Sequence, residues 1–364
     1  MGLTKENYYD SPRLSQSKLK TLLYSPKAFL ETEEPELFFE EKKHFVIGSA
    51  VDTYLTSVVD FNEKYYISHL ADKPSDVVKS ILYEVYSNAK DKIAEDDSYK
   101  NLEFLKQEII DSCESHGYYK NLKLETRINK IIEYHEYWEE IVSSGDKTIL
   151  TQEEAEIVSN IVRKVYANQY TSRYFRDSDE NITILKQLPI EFEISEVECK
   201  ALLDIVYINH IEKTITPIDL KTIGDSVKNF PESLRKRRYD IQLSWYVEAL
   251  YQWKEDNEFK NYKILDFKFI VVSTTEEDEE PVIFTCDKSL EFMGKYGRDY
   301  LYLRGEQASN STDTVYNRLN NVKGYMDLID DYLFYVENDF TEDRLFRESG
   351  DNLKLDWAGI IPLK

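Results

Sequence analysis

Residues 200–223, KALLDIVYINHIEKTITPIDLKTI, decide how the rest of the chain folds. Two runs rich in isoleucine, valine and threonine are separated by INHIEKT, so both runs read as β-strands joined by a hairpin. Asp204 follows Leu202 and Leu203 in the first run; Asp219, Leu220 and Lys221 lie near the end of the second. Side chains alternate along a strand, so Asp219 and Lys221 share a face. Pairing of the two strands can then bring Asp204 close to Asp219, with two carboxylates and one ammonium converging at a strand end. Two carboxylates bind a hard divalent cation, preferably Mg²⁺, which keeps its waters and takes up phosphate oxygens. Such an ion lowers the pKa of bound water and stabilises charge on a phosphoryl centre. A lysine beside it can position the attacking water or stabilise the developing negative charge. That is the minimal equipment for hydrolysing a phosphodiester.

An acid-x-lysine triplet is common by chance in a chain with 69 acidic residues, and most such charges are solvated. Three features distinguish this one: its strand context, Asp204 fifteen positions earlier, and a following helix that carries Gln242 and Tyr246 one turn apart. Further strands read in TILKQLPIEFEI (183–194), KILDFKFIVVST (263–274) and PVIFTCD (281–287), with an acidic turn at 276–280. The helix QLSWYVEALYQW (242–253) lies between them, and residues 287–306 and 312–338 have helical spacing. The expected fold is α/β, a central mixed sheet over about 181–290 flanked by helices. Upstream, SPRLSQSKLKTLLYSPKAFL (11–30) predicts a helix capped by Ser15 or Ser17, then a break beside Pro26. In HFVIGSAVDTYLTSVV (44–59), Gly48, Ser49 and Ala50 predict a helix that packs closely at its small end, and His44 reads as a surface residue. Residues 31–43 are acid-rich and expected in solvent. The polar stretch 75–180 repeats apolar residues at three and four, as in a helical insertion or subdomain.

ALLDIVYI, PIDLKTI and YDIQLSWYVEAL, in that order, resemble the PD-(D/E)xK nuclease superfamily. The similarity is greatest to the branch containing RecE-type exonuclease (exodeoxyribonuclease VIII), the RecB nuclease domain and lambda exonuclease. SQSKLKTLLYSPKAFL resembles that branch's N-terminal helix motif, and IGSAVDTYL its small-residue helix. The resemblance covers 11–60 and 185–305 in scattered motifs. It implies a restriction-endonuclease-like core divided as N-terminal helices (1–60), a mainly helical insertion (61–180), a catalytic core (181–305) and a C-terminal helical segment with tail (306–364). It also implies roles. Asp204, Asp219 and the carbonyl of Leu220 would be metal ligands, Lys221 the catalytic lysine, and Gln242 and Tyr246 the helix motif that supports the site and touches DNA. The first acidic position of the family falls on the strand before Asp204, at Glu191 or at Glu193; these share an orientation, so spacing does not separate them. Many relatives carry histidine in the small-residue helix where this chain has Asp52. Aspartate there is either an oxygen ligand that favours Mg²⁺ or Mn²⁺ or a polar replacement away from the metal.

The 46 basic and 69 acidic side chains leave a net charge of −23, which excludes a histone-like or tail-driven nucleic-acid binder. A composition 41% hydrophobic and 13% aromatic excludes a disordered acidic chain. The charge is uneven: residues 1–30 carry +3, residues 199–250 carry +1 and the remainder −27. Arg235, Lys236, Arg237 and Arg238 precede the Gln242 helix and are candidates for phosphate contact. Ser15, Ser17 and Lys18 are a second candidate anchor, for a terminal phosphate. Three scattered cysteines are the pattern of a reduced compartment and exclude a four-thiolate cluster. With neither a membrane-length apolar run nor a secretory leader, the expected setting is cytoplasmic, in the host cell if the chain is phage-encoded. The reading that follows is an Mg²⁺- or Mn²⁺-dependent DNA exonuclease of phage recombination or DNA processing. Its expected partners are duplex ends and a single-strand annealing protein, with a homo-oligomer allowed by ring-forming relatives. The alternatives are a single-strand nuclease or endonuclease of the same superfamily, or a non-catalytic acidic DNA mimic.

Overall fold

The computed structural model describes residues 2–32, 42–70, 74–118, 120–276, 278–297, 322–341, 344, 353–356 and 359–362. The helical readings over 298–306 and 312–321, and most of the acid-rich stretch 31–43, lie outside them. The chain forms two compact units, one of residues 1–52 with 163–364 and one of residues 53–162.

The first unit is built on one mixed sheet. Strands β1 (Ile182–Ile194), β2 (Val197–Asn209) and β3 (Thr214–Ile223) run antiparallel in succession. Strand β4 (Lys268–Ser273) lies parallel to β3, and β5 (Val282–Thr285) antiparallel to β4. The order is therefore β1-β2-β3-β4-β5, with Lys263–Ile264 also pairing to the start of β3. Helices α1 (Gln16–Lys20), α2 (Pro26–Glu31), α3 (Lys42–Thr56), α4 (Phe230–Arg237), α5 (Tyr239–Glu255), α6 (Lys288–Tyr296) and α7 (Tyr325–Glu337) complete the α/β architecture that the strand and helix patterns predict.

Local chemistry accounts for the order of the strands. Ser195 and Glu196 join β1 to β2 with φ of 50° and 66°, the two-residue turn whose twist suits a hairpin. Pro189 is tolerated in β1 because that strand pairs on one side only. Two parallel strands need a long crossover, and α4 and α5 supply it between β3 and β4. Helix α5 is buried nearly all round, from Tyr239 to Val247 without a break, as a helix through a core must be. Its Trp245 donates from Nε1 to the carbonyl of Lys200 at 3.0 Å. The acidic turn after β4 is more than a solvated loop. Glu279 accepts hydrogen bonds from Ser226 Oγ (2.5 Å) and Val227 N–H (2.8 Å), bracing the chain just after β3.

The second unit is helical. Asp76–Glu95, Lys106–Ser115, Leu124–Ile132 and His135–Ser144 enclose a core around Ile81, Leu82, Val85 and Trp138. A parallel pair, Tyr65–Ile67 with Thr148–Leu150, closes it. Buried Glu140 accepts from Ser68 Oγ and His69 N–H, both at 2.6 Å.

Helices α5 and α6 meet at Gly294. A Cβ there would stand 1.9 Å from the carbonyl oxygen of Asp240 and 2.2 Å from Ser244 Oγ. Gly294→Ala should destabilise the protein by about 2 kcal/mol or more, since backbone cannot yield as a side chain does. A denaturant midpoint equal to the wild type's would contradict this packing.

Candidate active site

The register of β2 on β3 pairs Ile205 with Ile218, so the next position sets Asp204 opposite Asp219. The ladder stops there. Leu220 donates its N–H to Asp204 Oδ2 at 3.1 Å instead of to a strand carbonyl. The strands part, and a cavity of about 310 Å³ opens over the gap, lined by Asp204, Leu220, Lys221 and Thr222 from the hairpin. Gly48, Ser49 and Asp52 of α3, Arg237 and Tyr239 of the crossover, and Tyr9 of the N-terminal segment complete its walls. The small end of α3 is what admits it here, because a Cβ on Gly48 would lie 2.8 Å from Thr222 Oγ1.

Asp219 is buried, with 1% of its surface exposed. Its Oδ1 accepts from Gln242 Nε2 at 3.0 Å, and the same nitrogen donates to Tyr246 Oη at 3.2 Å. Lys221 Nζ lies 2.7 Å from Asp219 Oδ2, yet that oxygen accepts no directed hydrogen bond, so the contact is electrostatic. The ammonium also sits 4.9 Å from the centre of the Tyr239 ring.

Burial comes first in raising the Asp204 carboxyl well above the usual carboxylate range, followed by the charges of Asp219 and Asp52. Burial likewise raises Asp219, against the pull of Lys221 and, more weakly, of Lys20. For Lys221 burial acts downward, but Asp219, Tyr239 and Asp204 outweigh it and hold the ammonium above the ordinary lysine value. Tyr246 is raised by burial and then by Tyr8, Asp219 and Asp204, which keeps its hydroxyl neutral.

Asp204, Asp219, Lys221, Gln242 and Tyr246 are thus brought together, with Asp52 on the facing wall. Asp52 Oδ2 accepts from Gln187 Nε2 at 3.0 Å. Glu191 is not brought in. It stands opposite Lys200, four positions along β1 from the Asp204 row, about 13 Å at the ordinary rise per residue, and its carboxylate lies 3.4 Å from Arg13. Glu193 lies farther along, its backbone bonded to Gln252. The β1 residue facing Asp204 is Gln187, between the pairs Lys186–Ile205 and Leu188–Leu203, with a left-handed φ of 50°.

The basic run precedes the Gln242 helix, as the sequence reading has it, and belongs to a helix of its own. Arg235, Lys236 and Arg237 form the last turn of α4, where cations suit the helix dipole, rather than the start of α5. Arg237 reaches the cavity. Arg238, left-handed at the corner between the helices, is committed to Asp240 (2.8 Å) and the carbonyl of Lys323 (2.6 Å). Ser15 caps α1 by accepting the Lys18 N–H, Ser17 accepts from Gln16 Nε2, and Lys18 Nζ donates to the carbonyl of Thr32 at 2.6 Å. None of these three lines the cavity. The side chain of His44 lies outside the described residues. Gln187 and buried Lys20 carried no signal in the sequence beyond being polar residues on a strand and a helix; only the fold takes them to the carboxylates.

Among the described residues, no group of three or more histidine, cysteine, aspartate or glutamate side chains is arranged to hold a metal ion. A hard cation does fit the pair. Two adjacent carboxylates, Asp219 buried and Asp204 half-buried at the cavity, favour a counter-ion, Asp219 Oδ2 has no directed donor, and Mg²⁺ needs only one or two carboxylates because it keeps its waters. Among the described residues no helix is long and apolar enough to cross a membrane.

No family model matches the sequence, and no curated protein matches it. Among solved structures, one from Eubacterium rectale described as a "putative exonuclease" is similar at 15% identity over 80% of each chain, with a TM-score of 0.41.

A carboxyl whose folded pKa exceeds its unfolded value stabilises the fold fully only below the latter, about pH 4, and that contribution is lost as pH rises toward the folded value. Asn at 204 stays neutral and can still accept the Leu220 N–H. In buffer with chelator, Asp204→Asn should melt above the wild type at pH 8, with the gap closing toward pH 4. A variant melting lower at pH 8 would contradict a destabilising charge at Asp204.

Proposed function

We propose that the chain is a divalent-metal-dependent deoxyribonuclease that hydrolyses phosphodiester bonds from DNA ends. The observation that carries this reading is Asp204 set opposite Asp219 where the ladder stops, with the Lys221 ammonium 2.7 Å from Asp219 and both Asp204 and Lys221 lining one cavity. The order of elements, a hairpin bearing the acids and then a helix bearing Gln242 and Tyr246, agrees with the PD-(D/E)xK resemblance. That resemblance also supports the finer assignment to a RecE-like exonuclease of phage recombination or DNA processing.

In this reading Asp204, Asp219 and the carbonyl of Leu220 would hold Mg²⁺ or Mn²⁺. The ion, when bound, supplies Lewis acidity at the phosphoryl oxygens and a water of lowered pKa. Asp52 adds negative charge to the same cavity, with one oxygen already engaged by Gln187, and the fit does not require it as a ligand. Lys221, charged at every working pH, offers N–H groups to the attacking water or to a phosphate oxygen. Gln242 fixes the rotation of Asp219 by holding Oδ1, which leaves Oδ2 facing the lysine. Arg237 is placed to take a phosphate at the wall, with the exposed Arg235 and Lys236 beyond it, whereas Arg238 is spent on Asp240. Because the whole chain carries −23, binding should depend strongly on salt and on these local cations.

End-labelled linear duplex and covalently closed circular DNA, each with Mg²⁺, test this reading. Linear DNA should be degraded, the circle left intact, and chelator should stop the reaction. Asp219→Asn and Lys221→Met should each lower the rate by about a hundredfold or more while remaining folded. Cutting of the closed circle would instead establish an endonuclease. Degradation by Lys221→Met at the wild-type rate would remove the proposed lysine chemistry.

A further inference from the structure

We propose that Tyr9 is the stacking platform for an unpaired nucleobase at this site, so that the substrate enters as a strand end or single strand rather than as continuous duplex. This rests on the nuclease reading above and names the form of DNA the cavity accepts.

Single exposed aromatic residues are ordinary, and 69% exposure of Tyr9 alone would mean nothing. What sets this residue apart is its place and its mounting. Tyr9 lines the cavity that holds Asp204, Lys221 and Arg237. The backbone on either side of it is clamped by a lysine inside the protein. Lys200, 7% exposed on β2, donates from Nζ to the carbonyl of Tyr8 at 2.7 Å and to that of Ser11 at 2.8 Å. The same ammonium lies 4.7 Å from the centre of the Tyr8 ring. A buried ammonium is costly unless its donors are met, and here two carbonyls and a ring face meet them. Farther along the segment, Leu14 N–H bonds the carbonyl of Glu198 (3.0 Å) and Lys200 N–H bonds the carbonyl of Leu14 (2.9 Å). The segment thus runs along β2 where β3 has parted from it. The buried Tyr8 ring meets Tyr9 edge-on, at 5.3 Å and 89°.

The result is an exposed ring whose backbone is fixed, lining a cavity with cations on another wall. A nucleotide has matching parts: a phosphate for Lys221 and Arg237, and a base whose flat face stacks on an aromatic ring. In continuous duplex both faces of every base are covered by neighbours. An unpaired or terminal base alone can offer a face to Tyr9 while its phosphate lies at the carboxylates.

Steady-state cleavage with Mg²⁺ of two linear duplexes tests this, one with ordinary terminal nucleotides on both strands and one with abasic terminal positions. Tyr9→Ala should raise KM about tenfold on ordinary ends, as expected for one lost stacking contact. On abasic ends the same variant should differ from the wild type by no more than about twofold, since the base it would stack on is gone. Tyr9→Phe, which keeps the ring, should behave as wild type on both. Equal loss on both substrates, no loss on either, or a Tyr9→Phe defect equal to that of Tyr9→Ala would each overturn the proposal. If the wild type cleaves and Tyr9→Ala is unchanged, stacking alone falls; if the wild type shows no Mg²⁺-dependent cleavage, the nuclease reading falls and takes this with it.

Discussion

Two carboxylates held side by side, Asp219 buried and Asp204 half-buried at a cavity, are the constraint around which the first unit is arranged. Two like charges about 4 Å apart repel by about 4 kcal/mol at an effective dielectric of 20, several times the net worth of a hydrogen bond. Asp204 and Asp219 therefore need compensation from every side. Lys221 stands against Asp219, the Leu220 N–H points at Asp204, Gln242 holds the second oxygen of Asp219, and Lys20 acts from α1. Even so, burial leaves both carboxyls raised. The site is under electrostatic tension that a cation would relieve.

That tension has a geometric origin. The β2–β3 ladder runs cleanly through Ile205 and Ile218 and ends one step later, where side-chain oxygen replaces backbone oxygen as the acceptor for Leu220. Once the strands part, other elements can approach the gap. The Gly48 end of α3 comes against Thr222, and the N-terminal segment takes the edge of β2 through Leu14 and Lys200. The crossover returns the last turn of α4 with Arg237 and the first turn of α5 with Tyr239. One interrupted register thus brings residues from 9 to 239 to a single cavity.

Much of this was legible in short-range pattern. Alternation placed Asp219 and Lys221 on one face, the Ile/Val/Thr runs marked the hairpin, and the turn spacing of Gln242 and Tyr246 put both on one side of α5, where they now share a hydrogen bond. The misplacements have physical causes. Glu191 has an acid's chemistry and the right strand, but strand register is set by the two-residue turn at Ser195 and Glu196, which sends it to Lys200 and brings Gln187 to Asp204. The basic run was legible as preceding the Gln242 helix, but not as the end of a separate helix. Arg238 instead adopts a left-handed corner and divides the run from that helix, at a φ of 52° that nothing in four consecutive cations announces.

The sequence by itself determined the α/β class, the hairpin and the residue types able to meet a phosphate and a hard cation, because those follow from periods of two and three to four residues and from side-chain chemistry. Tertiary structure alone decided which acid, amide and lysine stand together. Register between strands, the reach of a buried lysine such as Lys20 or Lys200, and the place where a ladder stops depend on contacts between residues far apart in the chain. No local period encodes them.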